Sequence, residues 1–199
     1  MSKKSKSDRT KEEILDAAWT LVSERGDAVS MADIAAAAGL TRQAVYTHFP
    51  SRGALLVALV RHADSRFEIW QAFQTAMSRP DADSRFDGCL DAWFDFVPRI
   101  HPVATVLIRT RMQDADAAAA WTDRMEALRA FLAEMMESVW EEGRLDPAWQ
   151  VAEASDYLWT VISVQSWDLL VGDCGWPPER ATATLKQAAR KLLLADPAA

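Results

Sequence analysis

The chain has 199 residues, a net charge of −7, 50% apolar residues and 26% charged ones; this balance fits a folded globular protein and is too apolar for a disordered one. Few glycines and β-branched runs disfavour sheet, and two cysteines can build neither a disulfide framework nor, alone, a zinc site. No stretch reaches the roughly 20 apolar residues of a membrane span, and the basic N-terminus lacks the apolar core of a signal peptide, so a cytoplasmic, mostly helical protein is expected.

Charge is spread unevenly. Residues 1–62 hold nine Lys and Arg against seven Asp and Glu, a balance of +2, which leaves −9 for the remainder. That asymmetry fits a polyanion-binding end attached to an acidic body. Residues 1–9 are polar and basic; they read as a disordered arm that settles on phosphate or in a minor groove, or as an ordinary solvated terminus.

The first helix is announced by Thr10 and Glu13, a capping box, followed by Ile14, Ala17, Ala18, Leu21 and Val22 at helical spacing and by Gly26 as its stop. Ser30, with Asp33 three residues on, caps a short second helix whose inner face is Met31, Ile34, Ala35 and Ala38. Gly39 supplies the positive φ of a tight turn. Thr41 caps a third helix, from Arg42 to about Phe49, with Val45 and Phe49 on its apolar face and Arg42, Gln43, Ala44, Tyr46, Thr47 and His48 elsewhere. Two short helices joined through Ala-Gly-Leu-Thr form a helix-turn-helix over about residues 30–49. The third helix suits a major groove; a small bundle with a solvated polar face accounts for the same residues equally well. His48 has no nucleophile or carboxylate near it in sequence, which argues against a catalytic base.

After Pro50, Ser51 opens a fourth helix predicted to run to near Met77. Ser84 opens the next, with Phe86, Leu90, Trp93 and Val97 as its stripe and Asp87, Asp91 and Asp95 as a solvated acidic face. Pro98 and Pro102 bracket an expected bend, followed by a short helix to about Met112. Ala115–Glu142 reads as one long helix. Pro147 opens another, which carries no charge between Asp156 and Asp168. A helix apolar on all sides is covered on both, one cover being the domain core and the other a second subunit. Pro177-Pro178 opens an amphipathic last helix with Ala181, Leu185, Ala188 and Leu192 on one face. Trp93, Phe94, Phe96, Met112, Trp121, Met125 and Trp159 are large groups on helices expected to face inward; they fit a pocket lining or plain core. Cys89 and Cys174 read as buried thiols. His62 and His101 lack partners at ligand spacing, so neither metal nor cofactor is expected.

Residues 10–60 resemble the N-terminal domain of the tetracycline-repressor (TetR) family of bacterial transcription regulators. The resemblance rests on Ile14-Leu15-Asp16-Ala17-Ala18, Gly26, Met31-Ala32-Asp33-Ile34-Ala35, Ala38-Gly39-Leu40-Thr41, Val45-Tyr46-Thr47-His48-Phe49 and Leu55-Leu56. Two positions depart from the family pattern: Arg52 stands where a lysine is usual, and Gly53 where an acidic residue is frequent. The resemblance implies an all-α chain, with a helix-turn-helix DNA-binding domain at 8–66 and an effector-binding and dimerisation domain at 67–199. It makes Arg42 and Gln43 base readers, suited to guanine and adenine edges. Thr47 would meet a thymine methyl or a phosphate, while Tyr46, His48, Arg52, Ser30 and the helix start at Thr41 and Ala44 would hold the backbone. It also implies a homodimer formed by the last two helices through Trp167, Leu169, Leu170, Leu185, Ala188 and Leu192. The expected function is a dimeric repressor released from a palindromic operator by a small, largely apolar effector. The alternative is a helical small-molecule-binding module or an enzyme sharing the bundle; no nucleotide loop, metal cluster or nucleophile motif supports the enzyme.

Overall fold

The computed structural model describes residues 5–196. They form ten α-helices and no strand: α1 (Lys6–Arg25), α2 (Met31–Ala37), α3 (Arg42–His48), α4 (Arg52–Arg66), α5 (Ile69–Met77), α6 (Ala82–Thr110), α7 (Ala115–Glu141), α8 (Val151–Val161), α9 (Val164–Asp168) and α10 (Pro178–Leu193). No described helix is long and apolar enough to cross a membrane. The all-α expectation and the N-terminal helix-turn-helix are both met.

Two compact units emerge from the packing. One contains the chain up to Phe67 together with Arg99–Arg124; the other contains Glu68–Pro98 and the chain from Met125 onward. In the first unit, Ile14, Ala18, Val45, Leu55 and Leu59 are buried with Val103, Leu107, Ala117 and Ala120. Ser30, Thr41 and Ser51 each accept a backbone N–H three residues on, at the starts of α2, α3 and α4, as their spacing predicts. Gly39 has φ 66°, the left-handed turn that lets the Leu40 N–H return to the Ala35 carbonyl at 2.8 Å. Charged pairs tie α4 to its neighbours: Asp16 accepts from His62 at 3.0 Å and Arg66 at 2.7 Å, Arg61 pairs with Asp123, and Arg124 bridges Asp64 and Asp123.

In the second unit, Phe73 and Phe131 stack with ring centroids 4.0 Å apart, and Trp70 meets both edge-on. Phe86, Leu90, Leu132, Met135, Met136, Leu158, Ile162 and Leu193 are fully buried. Trp93 donates its indole N–H to the Ile162 carbonyl at 2.7 Å. Asp83 binds Arg144 at 2.7 Å and Arg190 at 2.6 Å, Asp87 binds Arg190 at 2.8 Å, and Asp91 pairs with Lys186. As the acid number rises the base number falls, so α6 and α10 lie antiparallel along a charged seam. The acidic ladder is therefore not the plain solvated face expected of it.

Several other expectations are corrected. The first helix starts one turn early: Ser5 and Asp8 form the capping box, because Lys6–Arg9 are compatible with helix and propagation past a nucleus is easy. Residues 5–9 of the expected arm thus belong to this helix and its cap; residues 1–4 lie outside the described residues. The helix opened by Ser51 does not reach Met77; it ends at Arg66, and Glu68 turns left-handed with φ 55° before α5. The helix predicted from Ser84 begins at Ala82, with the Asp81 carboxylate accepting the Ser84 N–H at 2.8 Å. Pro98 and Pro102 make no break, since α6 continues through both, with Val97 and Val103 beside them buried. Pro147 lies in a turn, and α8 starts at Val151. The uncharged stretch divides at Ser163, which caps α9, and is followed by a π-helical turn, Leu169–Asp173. Cys174 is exposed, whereas Cys89 is buried and desolvation pushes its thiol up to about 12.

The charged seam predicts an acid limit. Hydrogen bonding to Arg144, reinforced by Arg190, holds the Asp83 carboxyl below its ordinary value of 3.8, and Arg61 does the same for Asp123. A carboxyl whose folded-state value is lowered adds stability above its unfolded value and loses it as pH falls through the folded one. The thermal midpoint should therefore hold from neutral pH to about pH 5 and drop between about pH 4 and 2. In Asp83→Asn part of that drop should disappear, as measured by thermal unfolding across the same pH series.

Candidate nucleic-acid interface

The interface is built on α3. Val45, Phe49 and the half-buried Ala44 anchor this short helix, which leaves Arg42, Gln43, Tyr46 and Thr47 exposed. Thr41 accepts the Ala44 N–H at 3.1 Å, fixing the helix start. The Arg42 guanidinium lies 5.4 Å from the Tyr46 ring centroid and donates to its hydroxyl at 3.4 Å, one helical turn apart. Arg42 is thus held against an aromatic face instead of sampling solvent freely. Thr47 donates its hydroxyl to the Gln43 carbonyl at 3.0 Å, and Gln43 is exposed. His48, half-buried, ends the helix.

Beside α3 an open cleft of about 420 Å³ is lined by Ser30, Met31, Arg42, Tyr46 and Arg52, among others. Two guanidinium groups, a phenol and the capped start of α2 thus border one concave surface, an arrangement suited to phosphate oxygens. Ser30 bonds the Asp33 carboxylate through hydroxyl and backbone, and the hydroxyl bond foremost holds that carboxyl below its ordinary value. Arg52 is not free: its Nη1 donates to the Asp114 Oδ2 at 2.5 Å. Sequence reasoning missed Asp114, 62 residues away; the only local signal was that of a cap, since Asp114 accepts the Asp116 and Ala117 amides at the start of α7.

The other expected site residues are dispersed. Trp93, Phe94 and Phe96 are buried in the second unit, and Met125 and Trp159 are half-buried there. The Trp159 indole N–H is buried without an acceptor among the described residues, while Arg129 lies 5.1 Å over its ring. Trp121 belongs to the first unit, under Arg111. Met112 is 84% exposed in the turn after α6, so it does not face inward. Trp167 is buried within its own unit. Leu169 and Leu192 are 56% and 44% exposed, and Leu170, Leu185 and Ala188 are half-buried.

Comparison with known proteins bears on the same segment. Residues 14–59 match the model for bacterial regulatory proteins of the tetR family. A 55-residue segment is 46% identical to the HTH-type transcriptional repressor LfrR of Mycolicibacterium smegmatis; this match covers 28% of the chain and only 29% of that repressor. Over nearly the full length, the fold matches NalD, the secondary repressor of the MexAB-OprM multidrug efflux pump in Pseudomonas aeruginosa. The TM-score is 0.72 at 27% identity, covering 97% of this chain and 100% of NalD. It also matches SmeT in its complex with triclosan, with a TM-score of 0.76 at 18% identity, covering 94% and 93%. The resemblance drawn from residues 10–60 is borne out by the family model, by LfrR and by the fold: residues 14–59 form a DNA-binding domain of the tetR family of bacterial regulatory proteins, in a chain that shares the fold of NalD.

Proposed function

We propose that the chain is a transcriptional repressor that binds a palindromic operator as a homodimer and is released by a small, largely apolar effector, with no catalytic role of its own. The observation that carries this reading is the exposed polar face of α3, bordered by a cleft that gathers Ser30, Arg42, Tyr46 and Arg52. Arg42 and Gln43 read base edges, Thr47 packs beside them, and Tyr46, His48 and Arg52 hold the backbone. Residues 8–66 meet DNA, and 67–199 supply effector binding and dimerisation. LfrR and NalD, both named repressors, support the repressor reading.

Dimerisation is assigned to the apolar edge formed by Leu169, Leu170, Leu185, Ala188 and Leu192. The charged seam supports this, because Lys186 and Arg190 are engaged by α6 while Leu192 and Leu169 are left exposed. An effector site among Trp93, Phe94, Phe96, Met125 and Trp159 is supported by the acceptorless Trp159 indole N–H and by the triclosan complex of SmeT, which shares the fold. A coupling of about 1–3 kcal/mol would change operator affinity roughly 5- to 150-fold.

The test is retardation of duplex DNA flanking the protein's own gene, against a scrambled duplex and across salt concentrations. Retardation of one flanking fragment at concentrations that leave the scrambled duplex free is expected. Its logarithmic affinity should fall with salt by about 0.9 per phosphate contact. Equal binding to both duplexes, or none, would refute the proposal.

A further inference from the structure

We propose that Asp114, at the end of the turn between α6 and α7, acts as a sequence-independent brake on DNA binding by competing with backbone phosphate for Arg52. The proposal rests on the operator-binding reading above and adds a regulatory contact within the same unit. Arg52 is the first residue of α4 and borders the cleft shared with Ser30, Arg42 and Tyr46. Its guanidinium is already committed to Asp114 at 2.5 Å, and its side chain remains 34% exposed, so a phosphate entering the cleft meets a cation whose charge is partly neutralised. Asp114 is itself fixed by the Asp116 and Ala117 amides at 2.9 and 3.2 Å. Burial pushes its carboxyl up, but those amides and Arg52 outweigh it and leave the group below 3.8, charged at neutral pH.

The next residue gives a second, independent sign that this turn is seated on the start of α4. A Cβ added at Gly53 would lie 2.8 Å from the Asp116 Cγ and nearer still to its Oδ1. The absence of a side chain at 53 is what lets the turn come this close. Asp116 thereby packs against the backbone at Gly53, while Asp114 alone pairs with the cation that the phosphate needs. Phosphate contacts carry no base information, so a brake of this kind lowers affinity for every sequence by the same factor.

Asp114→Asn and Asp114→Ser both remove the charge and keep a side chain able to cap α7. Both are titrated as full-length protein against a duplex selected by the wild type from a random pool and against a scrambled duplex. Affinity for both duplexes is expected to rise by the same factor, roughly tenfold per protomer, and the salt slope to steepen by about one phosphate contact per protomer. In an Arg52→Ala background the same substitutions should give no gain, and Asp116→Asn should leave the slope unchanged. A gain that persists without Arg52 would show a general field effect and overturn the proposal, as would a loss of affinity in both Asp114 variants. Wild-type protein that selects no duplex would overturn the operator-binding reading and this one with it.

Discussion

Leu169→Asp is expected to abolish tight operator binding while leaving each protomer folded. Leu169 begins the π-helical turn after α9 and is 56% exposed, so the carboxylate is solvated in the isolated chain and costs its fold little. At a subunit interface the same charge would be buried without a partner, at a cost of several kcal/mol. Losing the dimer removes the second half-site as an intramolecular contact, and affinity should fall by about 10²- to 10⁴-fold. Sedimentation should show a monomer at micromolar concentration with an unchanged helical circular dichroism spectrum. A variant that remains dimeric places the interface elsewhere.

Arg42→Ala should lose discrimination at one base pair in each half-site, by about 1–3 kcal/mol, and change little at the others. The reason lies in how Arg42 is held. Stacked over Tyr46, it has already lost part of the rotamer freedom that docking would otherwise remove. Gln43→Ala should act at a neighbouring position. Titration against duplexes substituted one base pair at a time separates this from the uniform loss expected of a phosphate contact. Equal weakening on every duplex by Arg42→Ala would exclude a base-reading role.

The DNA-facing half was legible in the sequence because its signals are local. Ser30 with Asp33, Thr41, Gly39 and Ser51 each act within four residues, and each performs the predicted cap or turn. What escaped depends on distant partners or on a competing local signal. Glu68 adopts its left-handed backbone with neither glycine nor proline to announce it. Pro98 and Pro102 stay inside α6 although the local rule would end a helix there. The Asp87, Asp91 and Asp95 face looked solvated because Lys186 and Arg190, which engage Asp91 and Asp87, lie about a hundred residues along the chain. Thr10 and Glu13 formed a plausible cap that a second box five residues earlier displaced. Among the site residues, those of α3 follow from helical geometry. Met112, placed inward by residue type alone, lies outside the packed surface.

The bare backbone at Gly53 makes the evolutionary routes open to this chain depend on their order. Any side chain there collides with Asp116 as it now stands, so alanine or an acidic residue at 53 first requires Asp116 to swing away or be shortened. Asp116→Ala, by contrast, removes only the far side of that contact and can come first at little cost. Gly53→Ala alone should therefore turn the Asp116 carboxylate aside, and after Asp116→Ala it should leave the opposite side chain undisturbed. The two positions, 63 residues apart, are expected to vary together.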